Sequence, residues 1–268
     1  MHRAALAAAG LPGDYRLLPT RPEALPELLD RLRRGELAGL NITVPHKVAV
    51  LALLEDASEL ALGIGAVNTV LRAPDGGLRG ENTDGVGFRF ALEAAGALDG
   101  QGRSAVLLGA GGAARAVAYV LLRAGYRLQV LARSAGQSGI LAAQLYRALP
   151  GAPISTGAFD AASIRRAVEG AALLVNATPV GGMRDPSASP WPEALAYPSD
   201  LTLIDLVAWP LESRLVGQAR AAGARAHGGL EMLVAQAARS FRLWTGLPSP
   251  LDVMRRAALQ AAELEGAG

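Results

Sequence analysis

The segment "SAVLLGAGGAARAVAYVLLRAG", residues 104–125, constrains the fold more than any other stretch of this chain. An apolar strand runs into a glycine turn, and the turn opens directly onto a helix rich in alanine and leucine. A strand with no polar alternation is buried on both faces, which calls for a parallel sheet covered by helices. Within "GAGGAA", Gly109 permits the tight turn, Gly111 lets the backbone approach a pyrophosphate, and Ala114 lets the helix lie close on the strand. The helix start adds oriented N–H groups and a positive dipole end, so the unit reads as a dinucleotide site.

The next strand names the dinucleotide. An NAD site places a carboxylate roughly 20 residues beyond the glycines, to hold the ribose hydroxyls. Here "YRLQVLARS" ends in Arg133 and Ser134. A guanidinium suits a 2′-phosphate through bidentate, charge-assisted hydrogen bonds, so NADP is favoured over NAD.

"ALLVNATP" and "LTLIDLV" read as two further strands of the same sheet. Upstream, "MHRAALAAAG" reads as a helix, "YRLLPT" as a short strand, "RPEALPELLDRLRRG" as a helix, "LAGLNITV" as a buried strand and "HKVAVLALL" as a helix. "AVNTVLR" and "GLRG" read as strands around the turn "APDGG", and "DGVGFRFALEAAG" as a helix. This alternation argues for parallel βαβ units here too. The Gly-rich stretch at residues 96–104 reads as a hinge. Two helices without a strand between them, "LEMLVAQAARSFRLWTG" and "DVMRRAALQAAELEG", end the chain and are expected to pack back on the first domain. The expected division is a substrate-binding and catalytic domain at 1–100, completed by 236–268, and a Rossmann-like nucleotide domain at 101–235.

Composition removes several classes of function. Without cysteine there is no disulfide, thiolate zinc site or cysteine nucleophile. His2, His46 and His227 stand far apart, so no metal site is expected. A net charge of +2, with arginines scattered among acids, leaves no basic stripe for nucleic acid. No apolar run approaches a membrane span and no signal peptide is readable, so a cytoplasmic enzyme acting on a small molecule is expected.

Of 26 basic residues, only Lys47 is a lysine. Arginine keeps its proton in proteins whereas lysine can give one up. A chain that writes its other cations as arginine retains lysine where a proton must be exchanged. Lys47 follows the strand "NITV" and Pro45, at the strand end where parallel α/β sheets present their ligands. "ENTDG" places Asp84 at the start of a helix, as a first-turn acid or as a carboxylate partner for Lys47.

Six stretches in order, "NITVPHK", "IGAVNTV", "ENTDGVGF", "LGAGGAARAV", "NATPVGGM" and "MLVAQAARSFRLWTG", resemble the shikimate dehydrogenase family over nearly the whole chain. The resemblance implies a mixed α/β substrate domain, a Rossmann-like NADP domain, and reversible reduction of 3-dehydroshikimate to shikimate. Lys47 and Asp84 would be the catalytic pair, with Thr43, Asn68 and Gln236 on the substrate hydroxyls. Gly109, Ala110, Gly111, Gly112 and Ala113 would meet the pyrophosphate and Arg133 and Ser134 the 2′-phosphate. Thr178 and Met183 would lie toward the nicotinamide, and Gly229 would also contact the cofactor. A monomer or homodimer is expected.

The chain departs from that pattern in places. It begins at "MHR", inside the family's first helix, so the preceding strand and the serine loop for the substrate carboxylate are expected upstream or are lacking. Ala208 stands where the family has tyrosine, Arg3 where it has asparagine, and the Asn-Arg-Thr cofactor signature is Ala132-Arg133-Ser134, with Gln137 at a frequently basic position. These differences keep two alternatives open: a quinate/shikimate dehydrogenase using NAD, and a non-catalytic NADP-binding paralogue.

Overall fold

The first half of the chain builds a small mixed sheet. In the computed structural model, which describes residues 1–266, α1 (His2–Ala8) precedes a 3₁₀ turn at Pro22–Ala24 and α2 (Leu25–Arg33). Then come β1 (Gly39–Asn41), β2 (Asp56–Ala57), α3 (Glu59–Ile64), β3 (Thr69–Arg72), β4 (Leu78–Glu81) and α4 (Thr83–Ala94). The sheet order is β1-β3-β4-β2. β3 pairs antiparallel with both β1 and β4, and only the β2–β4 pair is parallel. The parallel units expected here are therefore corrected to a mixed sheet. The physical reason is the short turn after β3, which closes a hairpin and is too short for a crossover.

Two local expectations also fail. Residues 15–20 pair with no strand, and Leu17 is 87% exposed. The segment is held by single contacts instead, with the Thr20 carbonyl 2.8 Å from His46 Nε2. "HKVAVLALL" is a turn followed by a 3₁₀ helix at Ala49–Leu53. The Lys47 carbonyl accepts from Val67 N at 2.8 Å, a partner outside any helical ladder. That same bond pins the lysine backbone beside the start of β3.

The second half is a parallel sheet. It contains β5 (Ser104–Leu108), α5 (Gly112–Arg123), β6 (Arg127–Ala132), α6 (Ala135–Ala148), β7 (Ile154–Ala158), α7 (Ala161–Val168), β8 (Leu173–Asn176), β9 (Thr202–Asp205), α8 (Arg214–Ala221) and β10 (Ala226–His227). The order is β10-β9-β8-β5-β6-β7, and every pair is parallel. The order reverses between β5 and β8, which makes the carboxyl ends of these strands the ligand-binding edge. Residues of β5, β6, β8 and α5 form one continuous core with α4 and Met232, so the second sheet is joined to the first half of the chain through α4.

The chain then returns to its first half, as the helical ending suggested. α9 (Leu230–Thr245) lies against α4, and α10 (Leu251–Gly266) packs on α1 and α9 in a cluster of Ala5, Phe241, Met254 and Ala258. Gly87 permits the α4–α9 approach, because a Cβ there would lie 2.6 Å from the Met232 carbonyl oxygen. Residues 267–268, the end of the expected C-terminal segment, lie outside the described residues.

Candidate active site

Lys47 and Asp84 meet at a cavity lined by residues from both halves of the chain. Lys47 Nζ lies 2.5 Å from Asp84 Oδ2, and the side chains are only 13% and 8% exposed. Asn82 caps α4, accepting from Gly85 N at 3.0 Å, so Asp84 is free of capping duty and projects from the first turn. Its second oxygen accepts from Asn68 Nδ2 at 2.8 Å. Asn68 in turn accepts from Thr83 N at 2.7 Å through Oδ1. A backbone N–H only donates and a carboxylate only accepts, so the Asn68 amide has one permitted orientation.

The nucleotide unit comes up directly against this pair. A Cβ on Gly112 would lie 3.1 Å from Lys47 Cδ, so the first residue of α5 touches the lysine stem. A cavity of about 750 Å³ opens there. Thr43, Lys47, Asn68, Asp84 and Gln236 line it from one side, and Ala113, Ala208 and Gly229 from the other. All of these stand out in the sequence, as does Arg3 at the cavity wall, but a further set does not: Tyr15, Asn41 and Met232 also line the cavity, and His2 and Arg16 stand at its wall. Nothing in local periodicity marks them, because each serves this wall only after distant elements meet. Burial pushes the His2 ring down to about 4, and its ring stacks 4.4 Å from that of Tyr15.

The remaining predicted cofactor residues lie outside this cavity. Gly109 adopts φ +106, which side-chain-bearing residues rarely adopt, and a Cβ there would stand 3.1 Å from the Ala177 carbonyl oxygen. Around Gly111 a Cβ would meet nothing within 4 Å, and α5 starts without a side-chain cap. An open backbone turn with uncapped N–H groups fits a pyrophosphate. Arg133 and Ser134 are exposed at the end of β6. Ser134 Oγ accepts from Gln137 N at 3.2 Å, which leaves its hydroxyl hydrogen to donate. Thr178 is engaged with Asn176 Oδ1, through N at 3.0 Å and Oγ1 at 2.7 Å, and Met183 is 51% exposed rather than a core filler.

One contributor escapes any reading of the sequence alone. Buried Asp205 at the end of β9 accepts from Asn176 Nδ2 at 2.9 Å, Val207 N at 3.0 Å and Ser213 Oγ at 2.5 Å, while burial pushes its carboxyl upward. It ties the ends of β8 and β9 together beneath Thr178. Among the described residues, no group of three potential ligands could hold a metal, and no helix is long and apolar enough to cross a membrane.

A parallel sheet with a glycine turn at its switch point, closed over a buried Lys–Asp pair, defines a two-domain α/β oxidoreductase of the dinucleotide-binding kind. Comparison narrows the class. Residues 1–70 match the family model of the shikimate dehydrogenase substrate binding domain, and residues 229–259 that of the shikimate 5′-dehydrogenase C-terminal domain. An NADP(+) shikimate dehydrogenase of Symbiobacterium thermophilum is 42% identical, covering 98% of this chain and 89% of that protein. A shikimate 5-dehydrogenase from Thermus thermophilus, solved with NADP(H) and shikimate, superposes with TM-score 0.81 at 43% identity, covering 97% of this chain and 92% of that one. A quinate dehydrogenase from Corynebacterium glutamicum, solved with NAD, gives TM-score 0.85 at 35% identity, covering 97% and 92%. The chain belongs to the shikimate dehydrogenase family.

Proposed function

We propose that this protein catalyses the NADP-linked interconversion of 3-dehydroshikimate and shikimate, a step toward chorismate and the aromatic amino acids. The observation that carries the reading is the 2.5 Å contact of Lys47 Nζ with Asp84 Oδ2, in a cavity walled by the start of the glycine-turn helix. NADPH, when bound, supplies the hydride. Lys47 donates a proton to the developing alkoxide oxygen at C3, and in oxidation its neutral amine takes the hydroxyl proton. Asp84 holds the ammonium in place and accepts from the substrate hydroxyl. Thr43, Asn68 and Gln236 supply the hydroxyl and amide groups that read a polyol. The Gly109–Ala113 backbone, with Ala110 in the turn, takes the pyrophosphate, and Arg133 and Ser134 the 2′-phosphate. Thr178, Met183 and Gly229 border the nicotinamide end. Residues 1–100 with 236–268 form the substrate unit and 101–235 the nucleotide unit, and closure of the two excludes water. The protein works in the cytoplasm as a monomer or homodimer.

The test is steady-state turnover of purified protein with shikimate or quinate and with NADP or NAD. The proposal expects the highest kcat/KM for shikimate with NADP. Likeness to the NAD-bound quinate dehydrogenase favours the second reading; quinate oxidised with NAD at comparable efficiency would establish it. Heat stabilisation by NADP with no turnover of either acid would leave the non-catalytic, binding-only reading.

A further inference from the structure

Ser240 lies on α9, far along the chain from the catalytic pair, and its side chain is completely buried. Its Oγ is nonetheless the meeting point of the polar groups behind that pair. It lies 2.8 Å from Thr69 Oγ1, 3.1 Å from Thr83 Oγ1 and 3.1 Å from Asn41 Nδ2. It donates to the Gln236 carbonyl at 3.1 Å, one turn back on its own helix. Thr69 and Thr83 flank Asn68: Thr69 Oγ1 stands 3.2 Å from Asn68 Oδ1, and Asn68 Nδ2 donates to Thr83 Oγ1 at 3.0 Å.

Hydrogen counting assigns the roles. A serine hydroxyl offers one donor and two acceptor sites. With its hydrogen on the Gln236 carbonyl, Ser240 Oγ accepts from the Asn41 amide and from one threonine. Thr69, the nearer at 2.8 Å, is that donor; Thr83 donates to Thr69 Oγ1 at 3.2 Å and accepts from Asn68 Nδ2 at 3.0 Å. The Asn68 amide then holds Asp84 Oδ1, and Asp84 Oδ2 holds Lys47. An amide cannot pass protons along such a chain, so the arrangement is a brace and not a proton wire.

We propose that Ser240 is a positioning residue: through Thr69 and Thr83 it fixes the Asn68 amide and hence the Asp84 carboxylate against Lys47. It makes docking of α9 a condition for an ordered acid/base pair. The turnover part of this inference rests on the function proposed above; the brace itself does not.

The experiment replaces Ser240→Ala and, as an isosteric second variant, Thr69→Val. Three quantities are read: kcat and KM with shikimate and NADP, the isotope effect on kcat with C3-deuterated shikimate, and the rate at which an amine-acylating reagent labels Lys47. Because Lys47 is the only lysine, its labelled peptide is unambiguous by mass spectrometry. Loss of one buried hydrogen-bonding hub should lower kcat by about 3- to 10-fold. KM for NADP should not change, the isotope effect should rise as hydride transfer becomes more rate-limiting, and labelling should accelerate by a similar factor. A kcat and labelling rate within about twofold of the parent, or a loss confined to KM, would overturn the proposal. Should Ser240→Ala fail to fold, Thr69→Val decides by the same criteria. If the parent itself turns over neither acid, the proposed function fails, and the labelling rates alone decide whether the brace exists.

Discussion

Lys47 and Asp84 stand 37 residues apart in sequence, yet their Nζ and Oδ2 atoms meet at 2.5 Å. The lysine is presented by a turn and the carboxylate by the first turn of α4, and the Lys47 carbonyl to Val67 N bond fixes the distance between them. The pair is therefore a product of contacts between distant segments and not of either segment alone.

Replacement of Lys47 by arginine keeps the charge and the ion pair but removes the removable proton. Turnover should fall by about 10²- to 10⁴-fold, the usual worth of a general acid/base. NADP binding, followed by thermal shift, should persist. Activity near that of the parent would remove Lys47 from the chemistry.

Arg133 has no ion-pair partner among the described residues and stands exposed at the end of β6. Arg133→Ala should raise KM for NADPH by about 10- to 100-fold, the loss expected for charge-assisted hydrogen bonds. KM for NADH should be unchanged. Equal effects on both cofactors would place the guanidinium away from the 2′-phosphate.

Gly87 sits where α4 and α9 come closest, with Gln236 Cβ 3.0 Å from the position a Cβ would take. Gly87→Ala should cost about 1–3 kcal/mol by overpacking. The displaced α9 carries Gln236 with it, so KM for shikimate should rise as well. Urea unfolding and initial rates check the two effects separately, and an unchanged unfolding midpoint would show that the helices yield freely.

His2 is buried in the cavity wall with its ring pushed from the ordinary 6.5 to about 4, first by desolvation and then by the neighbouring terminal amine. Between those values the unfolded chain binds a proton that the folded chain refuses, so stability falls as pH drops through this window and levels off below it. The expected loss from pH 7 to pH 5 is about 2 kcal/mol. His2→Phe preserves a stacking ring without titration and should lose that much less over the same interval. Superimposable urea profiles for the two proteins would show that the folded ring accepts its proton normally.

Much of this protein is written locally. Strand, glycine turn and helix at residues 104–125 are legible because their apolar spacing and backbone freedom are properties of consecutive residues. Lys47 likewise stands out as a candidate proton carrier, from its being the one lysine. β7 stays hidden, since "ISTGA" is a partly exposed edge strand with no apolar run to mark it. "HKVAVLALL" misleads for the opposite reason: its apolar content suits a helix, but it folds as a turn and a 3₁₀ helix whose Lys47 carbonyl bonds Val67 N outside the segment.

What the sequence determined by itself was the parallel nucleotide sheet, the glycine turn between β5 and α5, and a residue type fit for proton transfer at position 47. Tertiary structure alone decided that the first sheet is mixed, that Asp84 rather than another acid reaches Lys47, and that Asn41, Thr69, Thr83 and Ser240 converge behind them. Spacing along a chain sets which face a side chain occupies. Which distant faces meet is set by burial of the shared core, where α9 returns to α4 and each polar group taken out of water must find its partner.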